Sequence, residues 1–217
     1  MLPLRRVPVT LGLLIAIGLA FLAEIAMGGA TNQAVLYALG ANVWPIHGEY
    51  WRLVASMFLH IGALHLLVNA WALYQLGGLF ELWLGHWRTA LVFFATGIAG
   101  SVASLVFTLR PSAGAGLSAG ASGAIFGILG ALIAFLFRRR EHLTSQAKGL
   151  LSQLLFWAVL NVFFGFTVPG IDNAAHLGGC AAGLVLGAVF KDRRRFRRPA
   201  APTPPPSAPP SASSSSG

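Results

Sequence analysis

Long apolar stretches separated by short polar segments run along most of the chain. A helix that crosses the hydrocarbon core of a bilayer needs about 20 predominantly apolar residues. The fourth stretch is the shortest and lies near the lower limit of a span. The pattern predicts an all-α membrane protein, a bundle of six transmembrane helices, with spans over about residues 9–27, 61–84, 89–109, 122–137, 150–168 and 174–190.

The first stretch has a second interpretation as a cleavable signal peptide, because Arg5 and Arg6 precede it and small residues follow at 28–30. Its apolar run is longer than the roughly 7–15 residues of most signal sequences, and no A-x-A cleavage site follows it. We expect it to be retained as a span.

Composition supports the membrane assignment. Of the 217 residues, 56% are hydrophobic and 10% are charged, against roughly 25% charged residues in soluble domains. The net charge of +9 would on its own fit a nucleic-acid-binding protein. The basic residues instead cluster at the ends of apolar stretches, at 5–6, 138–140 and 191–198, which is typical of integral membrane proteins. We therefore expect the lipid bilayer, and no nucleic acid, as a partner.

The distribution of Lys and Arg also predicts the orientation. With six spans, both termini and the loops after spans two and four share one side, which collects nearly all basic residues except Arg52 and Arg110. The positive-inside rule makes that side cytoplasmic, so both termini are expected in the cytoplasm of a multi-pass protein of the cell (inner) membrane. Residues 1–198 then form the membrane domain, and the Pro-, Ala- and Ser-rich residues 199–217 are predicted to be a disordered tail.

The segment between the first two spans, residues 28–59, is moderately apolar and carries Trp44, Tyr50 and Trp51 beside Arg52. Aromatic rings and a snorkelling arginine suit the headgroup level of a bilayer. We expect this first loop to lie in the membrane interface.

Polar residues near the start of spans two, four and six predict a functional site, because polar groups at membrane depth are costly. These spans begin on the same, non-cytoplasmic side, so His65, Ser122 and His176 lie at similar depth, and Asn69 shares a helix face with His65. Together they offer a nucleophile, a base and oxyanion donors. Taken singly, Ser122 would be a helix-packing residue, each histidine a partner of a backbone carbonyl, and Asn69 an interhelical hydrogen-bonding group. Their shared depth favours a site that opens to the extracytoplasmic side.

Other intramembrane residues are interpreted as structural. Glu81 lies between Gly77 and Gly85 on one helix face, which predicts a hydrogen-bonding group near the cytoplasmic end. Glycines at intervals of four on spans four and six predict the close packing that Ser122 and His176 need in order to touch. These glycines are Gly123 and Gly127 on span four and Gly179, Gly183 and Gly187 on span six.

Several kinds of catalytic site are excluded. Ser122 is not in a G-x-S-x-G elbow, since Ala124 occupies the last position, and no H-E-x-x-H zinc motif occurs. Asp192 lies in the basic cytoplasmic flank, so a paired-aspartate protease is excluded. Asp172, shortly before His176, is interpreted as a solvated turn residue, which leaves no carboxylate to complete a triad. We expect neither a metal nor another cofactor.

The polar residues at the starts of spans two, four and six, the Arg52 segment and the Glu81 glycine pattern belong to five motifs that follow one another along the chain. In these motifs the sequence resembles the rhomboid intramembrane serine proteases in their minimal six-span bacterial form. The resemblance covers roughly residues 7–190. It rests on Tyr50-Trp51-Arg52, on His60 and His65 with Asn69, on Gly77-x-x-x-Glu81-x-x-x-Gly85, on Gly120-Ala121-Ser122-Gly123 and on Ala175-His176-Leu177-Gly178-Gly179.

The resemblance implies a Ser122–His176 dyad that cleaves transmembrane or juxtamembrane segments of other membrane proteins, with His65 and Asn69 holding the oxyanion. It also implies a passage for substrates between spans two and five, near Ala72. Phe126, where many relatives have tyrosine, would pack on the His176 ring. The residues with an implied supporting role are Gly120, Gly123, Phe126, Glu81, Arg52 and His60.

Three other functions stay open on the sequence. The chain could be a non-catalytic rhomboid-like protein that binds membrane clients. It could be a membrane electron carrier with His65 and His176 as axial haem ligands. A transporter is less well supported, because charged residues are scarce at span depth.

Overall fold

The computed structural model describes residues 4–43, 46–107, 116–168 and 170–190. Trp44, the basic run after residue 190 and the predicted tail lie outside the described residues. Within them the fold is helical, without a strand. The helices are α1 (Pro8–Ala26), α2 (Gln33–Leu39), α3 (Arg52–Ala55), α4 (Ala63–Ala72), α5 (Gly78–Leu84), α6 (His86–Phe107), α7 (Ser122–Phe137), α8 (Ser145–Thr167) and α9 (Asn173–Val189).

Four of these helices are long and apolar enough to cross a membrane. They are α1, α6, α8 and the continuous helix Ala63–Leu84, in which a π-helical turn at Leu73–Gly77 joins α4 to α5. The two other apolar helices, α7 and α9, are shorter, with 16 and 17 residues. The prediction of an all-α membrane bundle is confirmed.

Two helices begin earlier than the hydropathy pattern indicates, one because of a glycine turn and the other because of an N-cap hydrogen bond. α6 begins at His86 because Gly85, with φ +91°, ends α5 in the left-handed region and lets the chain reverse at once. α8 begins at Ser145 because the Thr144 hydroxyl accepts a hydrogen bond from Ala147 N at 3.3 Å, a typical N-cap.

α7 is the central helix and is buried on nearly every side. Its contact with α9 is close because Gly179 and Gly183 lie directly against the backbone carbonyls of Gly123 and Gly127. In lipid, helices associate by packing and not by hydrophobic burial, so small residues that let backbones meet are the main source of contact. This packing brings the first turns of α7 and α9 together.

Glu81 fastens the start of α1 to α5. Its carboxylate accepts hydrogen bonds from Val9 N (2.9 Å), Thr10 N (2.7 Å), the Thr10 hydroxyl (2.6 Å) and His86 Nδ1 (2.6 Å). The first N–H groups of a helix have no carbonyl of their own helix to pair with and carry its positive dipole end, so a carboxylate is a good partner.

Arg52 organises the first loop. Its guanidinium donates to Tyr37 O (2.6 Å) and Ala41 O (3.2 Å), pairs with Glu49 at 2.9 Å and stacks over the rings of Tyr37 and Trp51. The hydrogen bond from Arg52 holds the pKa of the Glu49 carboxyl below its ordinary value. Arg52 is itself buried, so this one side chain ties α2 to α3.

Candidate functional site

Ser122 and His176 meet at the starts of two neighbouring helices. Ser122 is the first residue of α7, and His176 lies in the first turn of α9. Ser122 Oγ is 2.8 Å from His176 Nε2, a normal hydrogen-bond distance. A neutral imidazole with Nε2 unprotonated accepts the serine proton in this geometry, the arrangement that activates a serine nucleophile.

Phe126 fixes the plane of the His176 ring. It lies one helical turn after Ser122 and stacks on the imidazole with ring centroids 4.2 Å apart and an interplanar angle of 10°. His176 Nδ1 is buried and has no hydrogen-bond partner among the described residues. Among the described residues, the imidazole is therefore held by the stack on Phe126 and by the contact with Ser122.

His65 lies next to Gly120 and has a defined tautomer. Ile61 N donates to His65 Nδ1 at 3.2 Å, so a neutral His65 carries its proton on Nε2. A Cβ built on Gly120 would lie 3.0 Å from His65 Nε2 and 3.8 Å from Ser122 Oγ. The same Cβ would lie only 2.8 Å from His65 Cε1, which is too close for a side chain, so glycine at this position lets the His65 ring lie against the backbone that leads to Ser122.

Asn69 and His60 lie next to His65 but make different contacts. Asn69 is buried one turn after His65, and its Nδ2 donates to His65 O at 2.9 Å, within its own helix. The rings of His60 and His65 are 5.2 Å apart between centroids, and His60 N donates to Glu24 Oε1 at 2.9 Å. The structure thus brings His65, Gly120, Phe126, Ser122 and His176 together. Asn69 lies on the same helix face as His65, and the fully buried His60 lies next to the His65 ring.

The interpretation of Asp172 as a solvated turn residue is wrong. Asp172 is only partly exposed, and its carboxylate accepts hydrogen bonds from the hydroxyls of Ser104 and Ser118 and from Ala175 N. The turn that contains Asp172 packs against α6 and the segment before α7, which takes the carboxylate away from water.

Sequence reasoning also missed Glu24 and Asn42. Glu24 is fully buried in α1, and a carboxylate within an apolar span was a usable signal. Asn42 forms an antiparallel bridge with Ser118, with N···O distances of 2.8 and 2.9 Å. No local pattern indicates a bridge between segments so far apart in the chain. Among the described residues, no group of three or more His, Cys, Asp or Glu could hold a metal ion.

Comparisons with known proteins identify the family of this chain. A family model described as the Rhomboid domain matches residues 47–193. The chain is 41% identical over 170 residues to the rhomboid protease GluP of Bacillus subtilis (strain 168), covering 77% of this chain and 32% of that protein. It is 38% identical over 149 residues to RHOMBOID-like protein 5 of Arabidopsis thaliana, covering 69% and 47% respectively.

A third relative is the Rhomboid-like protease 5 of Toxoplasma gondii, 37% identical over 172 residues, with 76% of this chain and 20% of that protein covered. The chain thus spans less than half the length of each of these three relatives. The family match covers most of the chain, including every residue of the candidate site. The chain belongs to the rhomboid family of membrane-embedded proteins.

Proposed function

We propose that this chain is a serine endopeptidase that cleaves peptide bonds within or beside the transmembrane segments of other membrane proteins. The observation that carries the proposal is the 2.8 Å contact between Ser122 Oγ and His176 Nε2. Membership of the rhomboid family and the likeness to a rhomboid protease support it.

The reaction begins with Ser122 and His176. Ser122 Oγ attacks the carbonyl carbon of the scissile bond while His176 Nε2 takes the hydroxyl proton. The tetrahedral intermediate collapses to an acyl-enzyme, and His176 passes its proton to the leaving amine. A water molecule then attacks the ester with His176 again as base, which releases the acid product and restores Ser122.

The oxyanion would lie next to Ser122, between His65 and the start of α7. There it meets the Nε2–H of His65 and the N–H groups at the start of α7. Ile125 N is the first N–H of α7 to donate within the helix, to Ala121 O at 3.0 Å, so the N–H groups of residues 122–124 have no carbonyl of their own helix to pair with and are available to an anion. One such donor is typically worth about 3 kcal/mol in the transition state. Asn69 joins them if its amide turns away from His65 O.

The length of α7 supports a site below the membrane surface. At 1.5 Å per residue, its 16 residues span about 24 Å, less than the roughly 30 Å of a hydrocarbon core. If its C-terminal end, next to the arginines at 138–140, reaches the cytoplasmic surface, Ser122 lies several ångströms below the opposite one. The site then opens to the extracytoplasmic side, and both termini lie in the cytoplasm of a cell (inner) membrane protein.

The geometry does not favour the haem-carrier alternative. His176 Nε2 faces Ser122, and one face of the ring is covered by Phe126, so this imidazole is already engaged. A Soret band in the purified protein would reverse that judgement.

Labelling with a fluorophosphonate probe tests the proposed function. The wild type should be labelled and should cleave a single-span reporter in proteoliposomes, and Ser122→Ala should do neither. Ser152→Ala is the matched control, because its hydroxyl donates only to Lys148 O on exposed α8, and it should behave as wild type. Undiminished cleavage by Ser122→Ala contradicts the proposal. A folded wild type that is neither labelled nor active favours the non-catalytic client-binding alternative.

A further inference from the structure

Asp172 connects three parts of the molecule through one carboxylate. Oδ2 accepts hydrogen bonds from the Ser104 hydroxyl of α6 and from the Ser118 hydroxyl, the latter at 2.6 Å. Oδ1 accepts from Ala175 N at 3.0 Å and caps α9. Simple capping of a helix needs only the last of these contacts, so the two serine contacts require another explanation.

Ser118 and Asp172 lie at the same distance along the chain from Ser122 and His176, respectively. Ser118 precedes Ser122 by four residues, and Asp172 precedes His176 by four. Asp172 O also accepts a hydrogen bond from His176 N at 3.1 Å. The Ser118–Asp172 contact therefore joins the segment that leads to the nucleophile to the turn that leads to the base.

The segment before Ser122 has no regular structure of its own to hold it. Residues 116–121 are not helical, and Gly120 has φ +135°, a conformation that favours glycine. The segment is held by the two backbone hydrogen bonds of the Asn42 bridge, by the 2.8 Å hydrogen bond from Gly120 N to Ser56 O and by the packing of Leu117 and Ala119 on a small apolar cluster. The Asp172 carboxylate adds the contact that joins the segment to the start of α9. Ser104 is fully buried on α6, and its hydroxyl donates a hydrogen bond that holds that carboxylate in place.

We propose that Asp172 is a positioning residue whose carboxylate holds the Ser118–Ser122 segment against the start of α9 and thereby sets the distance between Ser122 Oγ and His176 Nε2. The assignment rests on the proposed function. Catalytic groups act within a narrow geometry, and a misplacement of about 1 Å costs roughly 100-fold in rate. The released segment would move Ser122 away from His176 without unfolding the bundle.

Three substitutions separate positioning from capping. Asp172→Ala removes all side-chain contacts of the carboxylate. Asp172→Asn keeps an oxygen for Ala175 N and an amide that can donate to the serine hydroxyls, and Asn caps helices as well as Asp does. Thr144→Ala is the matched control, because it removes the N-cap of α8, a helix that carries no site residue.

The measurements are the rate of fluorophosphonate labelling at Ser122, kcat and KM for a reporter segment, and the thermal-unfolding midpoint. We expect Asp172→Ala to lower kcat and the labelling rate by about 30- to 100-fold, with KM changed by less than about threefold. Asp172→Asn should recover most of the rate. Thr144→Ala should lower the midpoint by the amount that loss of one N-cap costs and leave kcat unchanged.

A double-substitution cycle with Ser118→Ala completes the test. Ser118→Ala should slow labelling in the same direction, and the double variant should be no slower than Asp172→Ala, because both changes break one contact. Should Asp172→Ala fail to fold, Ser118→Ala carries the test, since it leaves the cap of α9 in place. The assignment is overturned if Asp172→Ala or Ser118→Ala has the wild-type kcat, or if the losses of the two variants are strictly additive. In either case the proposed function still stands, provided that the wild type is labelled. An unlabelled wild type overturns both.

Discussion

The crossing of α6, α7 and α9 directly below the Ser122–His176 pair leaves no room for a methyl group. A Cβ on Gly100, in the middle of α6, would lie 2.7 Å from Ala175 O and 3.4 Å from the Cα of Gly123. Both neighbours are backbone atoms, which cannot rotate away as a side chain would. Ala175 is adjacent to His176, so any adjustment is passed to the proposed catalytic base.

The size of the effect of Gly100→Ala follows from these distances. An ordinary contact begins near 3.4 Å, so α6 and α9 must separate by about 0.7 Å or more to reach van der Waals distance. Overpacking of this kind costs typically about 1–3 kcal/mol. A shift of that size at His176 approaches the roughly 1 Å that costs about 100-fold in rate, so we expect labelling to slow by about tenfold or more.

The matched control is Gly18→Ala on α1, where nothing lies within 4 Å of an added Cβ. Both variants replace glycine with alanine in an apolar helix, so helix propensity changes equally and favourably. For a chain of this size, 1 kcal/mol corresponds to about 2–4 °C in the unfolding midpoint. Gly100→Ala should therefore unfold about 2–12 °C below Gly18→Ala in detergent micelles, and Gly18→Ala should unfold at or above the wild-type midpoint. Equal midpoints and equal labelling rates for the two variants would refute the reasoning.

Three other contacts predict measurable effects. Glu81→Ala leaves the first N–H groups of α1 without their acceptor and should destabilise the fold by about 3 kcal/mol, seen as a lower unfolding midpoint that Glu81→Gln recovers only in part; an unchanged midpoint contradicts this role. Phe126→Tyr keeps the ring stacked on His176, so Ser122 should be labelled at nearly the wild-type rate. Phe126→Ala loses a contact worth about 1 kcal/mol, so labelling should be about fivefold slower. Equal labelling rates for the two variants would contradict this role of the stack. Arg52→Lys cannot reproduce the fork of contacts made by a guanidinium and should lower the midpoint by several degrees, whereas the half-exposed Arg140→Lys should not; equal midpoints would remove Arg52 from its organising role.

Hydropathy and small-residue spacing made much of the bundle predictable from the sequence. Apolar length dictates where a chain crosses a membrane, and the helices begin and end near the apolar stretches. The glycine stripe of α9 predicted its contact with α7, because only small residues let two backbones meet. Glu81, enclosed by glycines, was expected to form hydrogen bonds and does so with the first turn of α1.

Features that depend on contacts between distant segments were not predictable. The π-helical turn at Leu73–Gly77 adds a residue to one turn of a helix whose apolar pattern gives no sign of it. The contacts of Asp172 with Ser104 and Ser118 exist because the turn before α9 folds onto α6. A single sequence read for local periodicity carries no information about which loop covers which helix.

Three acidic residues of the bundle accept backbone N–H groups at or near the starts of helices, which bears on the proposed anion site at the start of α7. Glu81 accepts the first N–H groups of α1, Asp172 caps α9, and Glu24 accepts the N–H of His60 just before α4. In the part of the chain that the structure describes, α7 has no side-chain cap, and Ala121 occupies the N-cap position. A carboxylate there would occupy the N–H groups and repel the negative charge that develops when Ser122 attacks a carbonyl. The helix that begins with Ser122 thus lacks the carboxylate that these other segments have, which fits the proposed binding of an oxyanion at its start.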